Sequence, residues 1–229
     1  MNTNYLHRYI QNQIAKCSSN NEKVETILEL LEARGADFLK LDEYNDLYIK
    51  PDEDILNSKP QVIQQVRDEL ADFLKLMLVR DAKSFLQIGL GTFATTHLAA
   101  SFICDNVTSV EFDINRANNW IFEEPLSMKN DFVKHNILIG DSTVDKVIEC
   151  AGKHGPYDFL LIDANHSYEY VKADHDNYAP FVKTGGIVAF HDALLEGDRY
   201  GTPRFLKELD KNLTYITHSK EVGIACYVK

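Results

Sequence analysis

The sequence predicts an α/β fold: a doubly wound, mostly parallel sheet with helices on both faces, preceded by a helical N-terminal region. Three observations carry this. From residue 83 onward, apolar runs of strand length alternate with helical stretches. The runs are almost continuously apolar, as strands buried on both faces must be. The last two runs have no helix between them, which makes them an antiparallel hairpin at one edge.

The elements are taken here in chain order. In "NEKVETILELLEARG", Val24, Ile27, Leu28 and Leu31 share one helical face, and Gly35 supplies a stop. "KPQVIQQVRDELADFLKLMLVRD" repeats the pattern with Val62, Val66, Leu70, Phe73, Leu74 and Met77, and Pro60 stands at its start. Between them "ADFLKLDEYNDLYIKPDEDIL" is aromatic, acidic and irregular, the composition of a lid or of a loop packed across the next domain. "SFLQIGL" is the first strand of the sheet, succeeded by a helix around "TTHLAASFIC". "VTSVEF" and "NILIG" are the second and third strands, and "TVDKVIECAGKHG" is helical. "YDFLLID" is the fourth strand. "SYEYVKADHDNYAPFV" is helical, with Tyr168, Val171, Tyr178 and Phe181 on one side. "GIVAFHD" is the fifth strand, "TPRFLKELDK" a short helix, and "LTYITHS" and "GIACYVK" the closing hairpin. The chain divides at about residue 80, into a helical cap over 1–80 and a sheet domain over 81–229.

Bulk properties exclude several classes. Of 229 residues, 45% are hydrophobic and 26% charged, ordinary for a soluble globular protein. A net charge of −11 argues against a nucleic-acid partner, whose phosphates need clustered Lys and Arg. The N-terminus has no apolar core of the signal-peptide kind, and no window approaches the ~18 apolar residues of a membrane span. The four cysteines (Cys17, Cys104, Cys150, Cys226) are scattered, which points to a reducing cytoplasm rather than to zinc or a disulfide framework.

In an open sheet of this kind, ligands bind beyond the carboxyl ends of the strands. The unusual residues stand there. Gly89 and Gly91 in "QIGLGTFAT" allow a tight turn and close approach of a ligand, and with Ala94 they satisfy a dinucleotide-binding pattern. Glu111, 22 residues after Gly89, can accept both hydroxyls of a ribose; Asp113 is its nearby competitor and otherwise a cap for the next helix. Asp141 and Ser142 either border an adenine or cap the helix after them. Asp163 and His166 end the fourth strand; His191 and Asp192 end the fifth. Oxygen-rich clusters suit a hard divalent cation such as Mg²⁺, and a neighbouring imidazole can take a proton from a hydroxyl.

On "LQIGLGTFATT", "SVEFD", "IGDS", "LIDANHSYEYVKADHDNYAPFVKTGGIVAFHD" and "YGTPRFLKEL", residues 83–229 resemble the class I S-adenosylmethionine-dependent methyltransferases. The resemblance is to their metal-dependent small-molecule O-methyltransferases, in the group with macrolide-sugar O-methyltransferases and cephalosporin-hydroxylase-like proteins. It implies a Rossmann-like sheet in the order 3-2-1-4-5-7-6 with strand 7 antiparallel. It implies S-adenosylmethionine bound along Gln87, Gly89, Gly91, Glu111, Asp141, Ser142 and Asp163. It implies a divalent metal at Asp163, His191 and Asp192, with Mg²⁺ expected, and His166 as the base that deprotonates a small hydroxylated acceptor. A homo-oligomer is left open. Three residues depart from the family pattern: Gln87 replaces an acid, Phe93 stands where a small residue is common, and His191 stands where relatives often carry a carboxylate. The departure at His191 makes Mn²⁺, Fe²⁺ or no metal compatible as well. Two rivals share the glycine turn: an NAD-dependent oxidoreductase, and a non-catalytic nucleoside-binding protein of the same fold.

Overall fold

The structure is a computed structural model and describes residues 3–33, 37–38, 62–63, 65–91, 94–113, 134–195, 197, 200–218 and 222–229. Helices α1 (Thr3–Lys16) and α2 (Asn20–Ala33) open the chain. The Ser19 hydroxyl accepts the Glu22 N–H at 3.2 Å, and the Glu22 carboxylate accepts the Ser18 N–H at 2.6 Å, so the N-terminus of α2 is capped. The four residues expected on one face of α2 are all buried. Two short strands, β1 (Asp37–Phe38) and β2 (Val62–Ile63), pair in parallel.

Helix α3 (Arg67–Val79) starts later than the apolar stripe predicts. Val62 belongs to β2, and Val66 is an extended N-cap at φ −75°, ψ 123°. The β-branched Val62–Ile63 pair favours the extended backbone. Asp68 and Glu69, placed at the positive end of the helix dipole, mark the true first turn. Gly35, Pro60, Phe93 and the segment "DEYNDLYIK" lie outside the described residues.

The main sheet has seven strands: β3 (Ser84–Ile88), β4 (Asn106–Glu111), β5 (Lys134–Ile139), β6 (Tyr157–Ile162), β7 (Val182–Phe190), β8 (Thr214–Ile216) and β9 (Ile224–Val228). Their order in space is β5-β4-β3-β6-β7-β9-β8. Counted from β3, this is 3-2-1-4-5-7-6. The seventh strand runs antiparallel to both of its neighbours, as expected. Helices α4 (Thr95–Ser101), α5 (Asp145–His154), α6 (Tyr168–Tyr178) and α7 (Thr202–Glu208) flank the sheet among the described residues.

Two apolar layers sandwich the sheet. One holds α1 to α4: Val24, Leu70, Phe73 and Leu98 pack with Phe85 and Phe159. Phe73 meets both sheet rings edge-on, at 6.3 and 5.9 Å between centroids. The other holds α5 to α7: Ala151, Val171, Tyr178 and Phe205 pack with Leu86, Leu160 and Phe190. Glu69, fully buried on α3, accepts the N–H groups of His218 and Gly223 at 3.1 Å each and so ties α3 to the closing hairpin.

The first layer also holds a pair of imidazoles. His97 on α4 lies 2.7 Å from the Ser109 hydroxyl on β4 and 3.1 Å from the His135 ring on β5. Burial, with His135 as a like-charged neighbour, pushes His97 well below the ordinary imidazole value. Burial pushes His135 down to about 4.

Candidate active site

Five parallel strands bring their carboxyl ends to one rim. Backbone hydrogen bonds run along it from strand to strand. Gly140 N–H donates to Glu111 C=O at 2.9 Å, Gly89 N–H to Val110 C=O at 2.8 Å, Asp163 N–H to Ile88 C=O at 2.8 Å, and His191 N–H to Ile162 C=O at 3.0 Å. Residues from five separate strand ends are thereby held side by side by the sheet rather than by loops.

At the β3 end the chain turns through Gly89 (φ +89°) and Gly91 (φ +65°). A Cβ on Gly89 would stand 2.0 Å from the Asp163 carbonyl oxygen, so glycine is required by conformation and by space. Glu111, at 4% exposure, accepts the Leu90 N–H with Oε2 and the Asp113 N–H with Oε1, both at 2.9 Å. Its carboxylate thus shapes the turn, and each oxygen keeps a further lone pair for an incoming hydroxyl. The expected capping role of Asp113 falls on residues beyond those described. Gln87 is buried, and its Oε1 has no hydrogen-bond partner among the described residues.

At the β5 end, Asp141 Oδ1 accepts the Thr143 N–H at 2.8 Å and the Thr143 hydroxyl at 2.7 Å. These bonds hold its carboxyl below the usual range. Ser142 is buried, and its carbonyl accepts the Tyr178 hydroxyl at 2.7 Å. One residue was not legible from sequence here. Asp174 on α6 is fully buried beside Ser142, and neither carboxylate oxygen has a hydrogen bond of good geometry among the described residues. Burial lifts its carboxyl to about 6, against the opposing influence of Ser142.

At the β6 and β7 ends the four acid and imidazole residues meet, as the sequence expected. His166 Nε2 is 2.9 Å from Asp192 Oδ2 and 3.9 Å from Asp163 Oδ1. His191 Nδ1 is 3.0 Å from Asp192 Oδ1 and 3.3 Å from Asp163 Oδ1. Burial alone would lower both imidazoles. The two carboxylates overcome it, lifting His166 to about 9 and His191 well above its ordinary value. Burial would raise the carboxyls, but His191 and His166 hold both below the usual range. Asp192 adopts φ +56°, a strained conformation that turns its side chain into the cluster. His166 also carries a nearby loop: its carbonyl accepts the Gly201 N–H at 2.6 Å, and its ring lies 5.9 Å from that of Tyr200.

Asp163, His191 and Asp192 each offer a donor atom, and these atoms lie within 4.8 Å of one another. Neither ring nitrogen of His191 makes a hydrogen bond of good geometry among the described residues, although the ring is 3% exposed. Two carboxylates and a buried imidazole fit a divalent cation of the Mg²⁺, Mn²⁺ or Fe²⁺ kind. Sequence reasoning missed Gln65, whose Nε2 donates to Asp163 Oδ2 at 2.9 Å. It sits in a stretch read as plain helix, 98 residues before its partner, and no local pattern marks it.

The chain is similar to known methyltransferases. Residues 86–193 match the family model described as a methyltransferase domain. Caffeoyl-CoA O-methyltransferase of Citrus natsudaidai is 27% identical over 149 residues, 63% of this chain and 62% of that protein. Caffeoyl-CoA O-methyltransferase 5 of Nicotiana tabacum is 29% identical over 136 residues, 57% and 55% respectively. The chain thus spans about three fifths of the length of the curated relatives it matches. Among solved structures, an O-methyltransferase from Bacillus cereus in complex with SAH superposes with a TM-score of 0.57 at 16% identity, covering 98% of this chain and 97% of the other. An O-methyltransferase from Streptomyces achromogenes involved in tomaymycin synthesis, in complex with SAM, gives 0.55 at 15%, covering 82% and 96%. These two likenesses concern the fold.

Proposed function

From its place among the class I S-adenosylmethionine-dependent methyltransferases of the O-methyltransferase group, we propose that this chain moves a methyl group from S-adenosylmethionine to a hydroxyl of a small molecule. The observation that carries this reading is the shared rim. Glu111, a buried carboxylate with lone pairs to spare, and the Asp163–His166–His191–Asp192 cluster stand on one sheet edge, joined where Gly89 packs against Asp163.

The residues then divide the work. Gly89 and Gly91 let the backbone pass close under the cofactor. Glu111 takes the ribose hydroxyls, and Asp141 and Ser142 border the adenine. The unpaired Gln87 Oε1 accepts from the cofactor's ammonium group, and Asp163 stands between the cofactor and the acceptor. Asp163, His191 and Asp192 would hold the metal, and His166 Nε2 faces the same cluster. A hydroxyl held there would give its proton to Nε2, and S-adenosylmethionine, when bound, would supply the methyl and leave as S-adenosylhomocysteine. Without a metal His166 is a cation at neutral pH, because two carboxylates hold its proton. A bound divalent cation would neutralise those carboxylates and acidify the hydroxyl, so that His166 is free to act as a base. Residues 1–80 serve as a cap on the acceptor side, a role supported by the reach of Gln65 into the cluster.

The Bacillus and Streptomyces neighbours were solved with SAH and SAM, which supports the cofactor. The net charge of −11 and four free cysteines support a cytoplasmic enzyme without a nucleic-acid partner. Among the described residues no helix is long and apolar enough to cross a membrane. The test is calorimetric titration with S-adenosylmethionine and, in parallel, NAD, each with and without Mg²⁺. It is paired with a His166→Ala variant assayed on hydroxylated acceptors. Binding of S-adenosylmethionine and not NAD is expected. The variant is expected to keep cofactor affinity and lose about 10²–10⁴-fold in methyl transfer. Binding of NAD instead, or of neither, would favour the oxidoreductase or the non-catalytic reading.

A further inference from the structure

We infer that Gln65 is a positioning residue for the metal site: its side-chain amide holds Asp163 so that one chosen carboxylate oxygen faces the cation. The inference rests on the metal reading above and adds to it a residue from the N-terminal region.

The geometry is specific. Asp163 has two oxygens with different surroundings. Oδ2 accepts the Gln65 Nε2–H at 2.9 Å. Oδ1 lies 3.3 Å from His191 Nδ1 and 3.9 Å from His166 Nε2. A carboxylate turns easily about its terminal bond, whose torsional wells are broad. A donor fixed on one oxygen removes that freedom and commits the other oxygen to the cluster. The chemistry of the donor matters as well. An amide N–H satisfies a carboxylate lone pair and carries no charge, so it does not repel a divalent cation as a lysine or arginine would. Gln65 is also firmly mounted. It is 7% exposed and directly precedes Val66, the N-cap of α3. That helix is anchored by Leu70, Phe73 and Leu74, all fully buried. The rigidity of the apolar layer is thereby transmitted to a carboxylate 98 residues away.

The experiment is Mn²⁺ titration, by calorimetry and by electron paramagnetic resonance, into the full chain as wild type, Gln65→Met and Asp163→Asn. Thermal unfolding of each metal-free protein is tracked alongside. Methionine matches glutamine in length and volume but donates no hydrogen bond, so it separates the bond from packing. The expected result is Mn²⁺ binding weakened about tenfold or more in Gln65→Met, the usual scale for loss of a residue that orients a metal ligand. Its metal-free melting temperature should stay close to wild type. Gln65→Ala should show the same weakening, and it stands in if methionine does not fit. Wild-type affinity in either variant would overturn the role of Gln65 and leave the metal site intact. Absence of Mn²⁺ binding in the wild type, with S-adenosylmethionine binding retained, would overturn the metal reading and this inference together.

Discussion

The molecule holds two pairs of imidazoles, each with one buried and one half-buried ring, and they are driven in opposite directions. His97 and His135 meet each other and a serine hydroxyl, and burial pushes both below the ordinary value. His166 and His191 meet Asp163 and Asp192, and both are pushed above it. Residue type is common to the two pairs, and so is the combination of one buried ring with one half-buried ring. The difference is the pair of carboxylates, which sit at the ends of two neighbouring parallel strands. A buried histidine therefore says little until its neighbours are known. In this protein the neutral pair packs inside a layer, while the charged pair occupies the rim proposed above as the ligand site.

The comparison breaks most completely at Asp192, the acid nearest both rim histidines. Asparagine keeps its size and tolerates its left-handed backbone. Asp192→Asn should bring His166 down from about 9 toward 6.5, as read by NMR titration of the metal-free protein. Methyl transfer should fall by about 10²–10⁴-fold, the scale expected when the acid–base group His166 loses the carboxylate that positions it. An unmoved His166 would show that Asp192 does not hold its proton.

The pH dependence of stability sharpens the contrast. His135 has a folded value of about 4 against an ordinary 6.5. Below 6.5 the unfolded chain takes up a proton that the folded protein refuses. Stability should therefore fall as pH drops from 6.5 toward 4, by on the order of 3 kcal/mol from this residue. His166 has the opposite sign. Its contribution is complete below 6.5 and is lost as pH rises through about 9. Denaturant titrations of the metal-free protein across this range should show both flanks, and a His135→Asn variant should flatten the acid one.

A smaller effect is expected at Asp174, a buried acid whose burial no neighbouring cation offsets among the described residues. Its folded value, about 6, lies above the ordinary 3.8. It thus costs stability at neutral pH, and the cost disappears as pH falls through 6 toward 3.8. Asp174→Asn should raise the melting temperature by a few degrees at pH 8 and change it little at pH 4. A drop at pH 8 would show that the carboxylate makes a contact which the asparagine cannot replace.

Much of this was legible in the sequence because it depends on local pattern. Apolar runs, their spacing and the missing helix before the last strand determine a parallel sheet with an antiparallel end. Strand ends in such a sheet share a rim, so Gly89, Glu111, Asp141, Asp163, His166, His191 and Asp192 could be grouped from sequence. The start of α3 was misread because an apolar stripe cannot distinguish Val62 in a helix from Val62 in a two-residue strand. Tertiary structure alone decided the rest. It placed Gln65 on Asp163, Asp174 beneath Ser142, and His97 against His135. These contacts join distant segments through layer packing, and no period or motif encodes which side chain a folded layer will set opposite another. The direction of each imidazole's proton affinity depends on those contacts, so the charge of the site became readable once the sheet had been assembled.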